Sequence, residues 1–170
     1  MLFTNPLLAI LLIPTPQQLV MDSSAVQECR EEQLTIQVDN KAGDFNGMSH
    51  SGTEIKIYNK GPECQFPARP RVKIYGSEDK ILPLENGTRP EQLAQNLVID
   101  NGQYAVMQLR WVSSPVYNEN KKLKAITLSV DTRYSALKVP LAAEIYIPAD
   151  VKIGTFEQTP LRIVEGRSER

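Results

Sequence analysis

Short runs of alternating apolar and polar residues, each bounded by turn residues, recur along most of this 170-residue chain. Alternation with period two places every second side chain on one face of an extended segment, so the pattern predicts half-buried β-strands. Leu34-Thr35-Ile36-Gln37-Val38 is the clearest case, with Leu34, Ile36 and Val38 on one face. Asp39 to His50, rich in Asn, Gly, Asp and Ser, reads as a loop. Thr53 to Tyr58 alternates again, and Asn59-Lys60-Gly61-Pro62 stops it. Val72 to Tyr75 follows Pro67 and Pro70; in the polar stretch after it, Leu82 and Leu84 are expected to fold back on the sheet. Gln92 to Gln95 allows one helical turn.

Leu97-Val98-Ile99 and Gln103 to Val112 flank Asp100-Asn101-Gly102, a hairpin-type turn signal. In the second run Ala105, Met107, Leu109 and Trp111 make the better core face, so Trp111 reads as a core aromatic. Ile126 to Val130 alternates, and Leu137-Lys138-Val139 runs into Pro140. Ala143 to Ile147 and Val151 to Ile153 flank Pro148, which marks a strand end. Phe156 and Leu161 to Val164 complete the set. Seven to nine strands predict an all-β fold, an immunoglobulin-like antiparallel sandwich. A single domain is expected over 26–170, with its core at 29–164 and a polar tail at 165–170.

Leu7 to Ile13 has the length of a signal-peptide core and is too short to span a bilayer. Pro14 and Pro16 break it, and Ser23 and Ala25 are small residues suited to cleavage after Ala25. Residues 1–25 therefore read as an export signal, although no Lys or Arg precedes the apolar run; the competing reading is a buried N-terminal segment. No later segment approaches membrane-spanning length. An exported chain with two cysteines is expected to join Cys29 to Cys64, which predicts a periplasmic or secreted location. That bridge closes a loop worth roughly 3.5–4 kcal/mol in the chain-entropy treatment and withdraws both thiols from chemistry.

Composition narrows the partners. With 41% hydrophobic and 23% charged residues the chain has material for a core. Nineteen basic against 20 acidic side chains give no long-range pull on nucleic acid or anionic lipid. Lys121, Lys122 and Lys124 read as a solvated loop. His50 is the one histidine, so two-histidine metal or acid–base schemes are excluded. Met48 and His50, with Met107, are soft donors that could serve copper or a small ligand; the plainer reading is an ordinary histidine in a glycine- and serine-rich loop. Ser49 and Ser51 flank His50, yet neighbours on a strand face opposite ways and no nucleophile elbow is present. No catalytic residue is assigned and no cofactor is expected. The polar loops remain, and Pro115, Tyr117 and Asn118 form the candidate contact surface for an envelope protein or glycan, with an ordinary connecting loop as the alternative.

A set of residues resembles the exported bacterial family called domain of unknown function 4232. It comprises Cys29, the strand at Leu34, Gly47 to Gly52, Ile55, Ile57, Asn59 to Cys64, then Phe66, Ala68, Pro70 and Val72. Leu97 to Trp111, with Gly102 and Ala105, and Val151 to Phe156 continue it over roughly residues 29–164. Ala68 stands where the family has glycine, and Asn101 where proline is common. The resemblance implies an exported β-sandwich with a structural disulfide and no established activity.

Overall fold

The computed structural model describes residues 26–39, 48–88 and 95–165. The expected export signal, most of the loop after Asp39, most of the turn at Gln92 and nearly all the polar tail lie outside the described residues. Within them the chain forms eleven strands and no α-helix: β1 (Leu34–Asp39), β2 (His50–Asn59), β3 (Cys64–Pro67), β4 (Val72–Tyr75), β5 (Leu84–Asn86), β6 (Asn96–Ile99), β7 (Tyr104–Val112), β8 (Asn120–Asp131), β9 (Ala136–Pro148), β10 (Gly154–Gln158) and β11 (Arg162–Val164).

Six of these strands make one sheet in the order β1-β2-β7-β10-β5, with β11 also beside β7. β4-β8-β9 make a second sheet and β3-β6 a two-stranded third. Pairing is antiparallel except between β10 and β5. The alternation read from the sequence explains the layering. Ile55 and Ile57 of β2 and Ala105, Met107, Leu109 and Trp111 of β7 turn inward, against Leu128 and Val130 of β8 and Ile145 and Ile147 of β9, in one continuous buried cluster. The result is sandwich-like. Leu82 and Leu84 pack on this core, as expected.

Several expectations change. Asp100 to Gln103 does form a turn, with Gly102 at φ +81°, but it is not a hairpin: β6 pairs with β3 and β7 with β2. The turn is drawn onto β2, because the Gly102 amide donates to the Asn59 carbonyl and the Asn59 amide to the Gln103 carbonyl. Pro140 does not end a strand. β9 runs through it at a sheet edge, opposite a register irregularity between Ala125 and Thr127, where a missing amide is tolerated. Lys121, Lys122 and Lys124 belong to β8 rather than to a loop, since burial of Leu123 among them and of Ala125 after them outweighs the poor strand propensity of lysine. Val151 to Ile153 is an exposed bend, and the strand starts at Gly154 instead. A side chain there would collide with Ile147, its Cβ falling 2.2 Å from Ile147 Cγ2, so only glycine lets β10 come so close to β9. The short strands β3 and β5, which alternation alone does not reveal, raise the number above the expected seven to nine.

Candidate functional site

With Ile55 and Ile57 facing the core, Lys56 and Tyr58 lie on the opposite face of β2, and Tyr104 and the buried Val106 lie on that same face of β7. Register then sets Thr35, Tyr58 and Tyr104 side by side in one row across β1, β2 and β7. Gln37, Lys56 and Val106 make the next row. Directly opposed side chains on one face of an antiparallel pair are close enough to act as one surface. Together Thr35, Gln37, Lys56, Tyr58 and Tyr104 line an open cleft of about 360 Å³. Lys56 Nζ lies 3.8 Å from Glu54 Oε1 and 6.0 Å from the centre of the Tyr104 ring. Tyr58 is 42% exposed. Among the described residues, no hydrogen bond engages the Thr35 hydroxyl, the Gln37 amide or either phenol, so these groups are available to a ligand.

The cleft stands on a fixed base. Asn59, the residue after Tyr58, is fully buried and its side chain is completely satisfied. Its Nδ2 donates to the carbonyls of Pro62 and Ile99, each at 2.9 Å. Its Oδ1 accepts from Gln33 Nε2 and from the Gly61 amide, also at 2.9 Å. One side chain thus ties the segments leading into β1 and β3, and the end of β6, to the end of β2. Beside it the Cys29–Cys64 disulfide is formed, with a Cα separation of 4.8 Å. The segment at Cys29 is laid along β3 by the bonds Cys29 amide to Gln65 carbonyl and Gln65 amide to Gln27 carbonyl.

The residues singled out by sequence are distributed differently. Tyr117 is half-buried rather than exposed, while Pro115 and Asn118 are exposed. Tyr117 and Asn120 exchange two hydrogen bonds: the Tyr117 amide donates to Asn120 Oδ1 at 3.0 Å, and Asn120 Nδ2 donates to the Tyr117 carbonyl at 2.9 Å. The Ala149 amide donates to the Glu119 carbonyl, and a cleft of about 400 Å³ separates Tyr117, Asn118 and Glu119 from Pro148 and Asp150. Met48, His50 and Met107 are not brought together. Met48 is 96% exposed, His50 Nδ1 lies 3.0 Å from the Met48 carbonyl oxygen, and Met107 is buried opposite Ile55, with Gln158 Nε2 3.6 Å from its sulfur. Trp111 is in the core.

Sequence reasoning missed Tyr58, Tyr104 and Asn59. Tyr58 and Tyr104 are far apart in sequence, and only the β2–β7 register makes them neighbours; a signal existed in the outward positions of both strands, but not in their pairing. Compared with known proteins, the chain matches no family model, no curated protein and no solved structure. Within the described residues no helix is long and apolar enough to cross a membrane.

Proposed function

We propose that this chain is an exported, non-enzymatic binding module of the bacterial cell envelope, acting in the periplasm or as a secreted protein, whose ligand is a glycan held on the open face of β1-β2-β7. The disulfide supports an oxidising compartment. The observation that carries the ligand class is the pair Tyr58 and Tyr104, directly opposed and bordered by the Thr35 hydroxyl, the Gln37 amide and the Lys56 ammonium, the last also beside Glu54. A sugar ring has an apolar C–H face and a rim of hydroxyls. Phenol rings suit the first, and Thr35, Gln37 and Lys56 suit the second. The likeness to domain of unknown function 4232 belongs to the same proposal, resting on Cys29, Cys64, Gly102 and Trp111 in their present places.

Co-sedimentation of the oxidised protein with insoluble peptidoglycan tests this reading, with Tyr58→Ala, Tyr104→Ala and Tyr117→Ala variants alongside. The two sheet-face variants should each weaken binding by about tenfold, or roughly 1.4 kcal/mol, and Tyr117→Ala should bind as the parent does. Loss confined to Tyr117→Ala would move the site to the 113–119 loop. Equal retention of all four proteins would remove the cleft as the ligand site.

A further inference from the structure

β1 closes one side of the six-stranded sheet, and among the described residues no strand pairs with its outer side. The bond from the Lys60 amide to the Gln33 carbonyl fixes the direction of its main-chain groups. Hydrogen-bonded pairs alternate along an antiparallel ladder, so Thr35, Gln37 and Asp39 turn their amides and carbonyls toward β2. Leu34, Ile36 and Val38 turn theirs outward. The Leu34 amide donates to the Glu31 carbonyl, which leaves the Ile36 and Val38 amides and all three carbonyls facing the open side.

Exposed edges invite pairing unless they are short, charged or broken by proline. The described residues follow that rule elsewhere. β3, β4, β5, β6 and β11 have four residues or fewer, and β9 carries Pro140 between Lys138 and Glu144. β1 has six residues without proline, glycine or lysine, and its one charged side chain is at the last position, Asp39.

The strand is also symmetric about Ile36: Leu34-Thr35-Ile36-Gln37-Val38 reads apolar, polar, apolar, polar, apolar in both directions. We infer that two copies of this chain pair antiparallel through β1 around a twofold axis at Ile36, joining their sheets edge to edge. In this register Ile36 meets its own copy, Leu34 meets Val38 and Thr35 meets Gln37, so apolar side chains stay on the core face and polar ones on the open face. The outward main-chain groups match: Ile36 amide and carbonyl bond reciprocally at the axis, and each Val38 amide reaches the other copy's Leu34 carbonyl. Asp39 falls opposite Gln33, so no like charges meet. Room exists, because a groove of about 470 Å³ runs beside Leu34, Thr35 and Ile36, with Leu137 and Lys138 of β9 on its far wall. Ile36 and Val38, only partly buried in one copy, gain cover from the other. The pairing is isologous, as closed dimers require.

The ladder is short, so the dimer is weak and depends on concentration. Sedimentation equilibrium of the disulfide-bonded protein between about 1 µM and about 500 µM, the span in which weak contacts populate, tests it. The parent should pass from one to two chain masses. Thr35→Lys with Gln37→Lys places like charges opposite one another across the axis and should raise the dissociation constant at least about tenfold. Thr35→Lys with Gln37→Glu places opposite charges there and should restore dimerisation to the parent level or better. Both positions are exposed, and matching thermal melts confirm that the fold is kept. A parent that stays monomeric throughout, or two double variants affected alike, would overturn the inference.

Discussion

Asn59 and His50 are the two ends of β2, roughly 30 Å apart for an extended strand of ten residues, and their surroundings are built differently. Around Asn59 a buried amide with every donor and acceptor used meets a disulfide and the turn at Gly102. Around His50 the fastenings are near the surface: the Ser113 amide to the Ser49 carbonyl, Ser51 Oγ to Ser113 Oγ, and the Tyr117–Asn120 pair. Met48, Val116 and Ile153 protrude from that second end, at 96%, 50% and 54% exposure. The contrast shows where geometry is held. Tyr58 and Tyr104 adjoin the anchored end, so their spacing is fixed before any ligand arrives, whereas Tyr117 depends on a loop that opens at little cost.

The sharpest way to break this comparison is to remove the covalent tie. Cys29→Ser with Cys64→Ser should lower unfolding free energy by about 4 kcal/mol, measured by urea titration, as expected for a closed loop of this length. A loss below about 1 kcal/mol would mean that the Asn59 network holds the end unaided. Asn59→Ala, made in the oxidised protein, strips partners from two carbonyls and two amide groups in a buried corner. It should cost about 3 kcal/mol, and Asn59→Asp nearly as much, since a carboxylate cannot donate to Pro62 and Ile99. Both variants should also loosen the Tyr58–Tyr104 cleft, detectable as faster hydrogen exchange at those amides.

Legibility followed the same division. Alternation announced β1, β2, β7 and the core faces of Met107, Leu109 and Trp111, because burial on one side imposes period two on any strand long enough to show it. It could not announce β3 or β5, whose few residues carry no period and are defined by partners distant in sequence. Asn59 looked like a strand stop, and so it is, but its role as a hub depends on Ile99 and Gln33 arriving from elsewhere. Asp100-Asn101-Gly102 makes the turn its residues signal but not a hairpin, because a turn signal fixes local dihedrals, not the sheet in which each flank pairs. Pro115, Tyr117 and Asn118 stand together in one polar loop of the sequence, whereas the opposed tyrosines become neighbours only through strand register.

Asn120→Ala probes the loosely held end. It removes both bonds to Tyr117 at a partly exposed site, so the expected loss is about 1 kcal/mol. Exchange of the Tyr117 amide should quicken while the Asn59 corner keeps its protection. If protection fell equally at both ends, the sandwich would be a single cooperative unit and the contrast drawn above would not survive.

Thr53 sharpens the contrast with the smallest effect and the opposite sign. It lies three residues from His50, pairs with Leu109 and is fully buried, yet among the described residues its Oγ1 has no hydrogen-bond partner. Burying an unpaired hydroxyl is unfavourable, and valine has nearly the same shape with a preference for strands at least as strong. Thr53→Val should therefore raise unfolding free energy by roughly 0.5–1 kcal/mol, whereas removing the equally buried Asn59 amide lowers it. The two substitutions delete polar atoms at the same depth in one strand, so the difference in sign isolates whether those atoms have partners. A destabilised Thr53→Val protein would mean that the hydroxyl is engaged, and that the His50 end is tied down more firmly than its surface bonds convey.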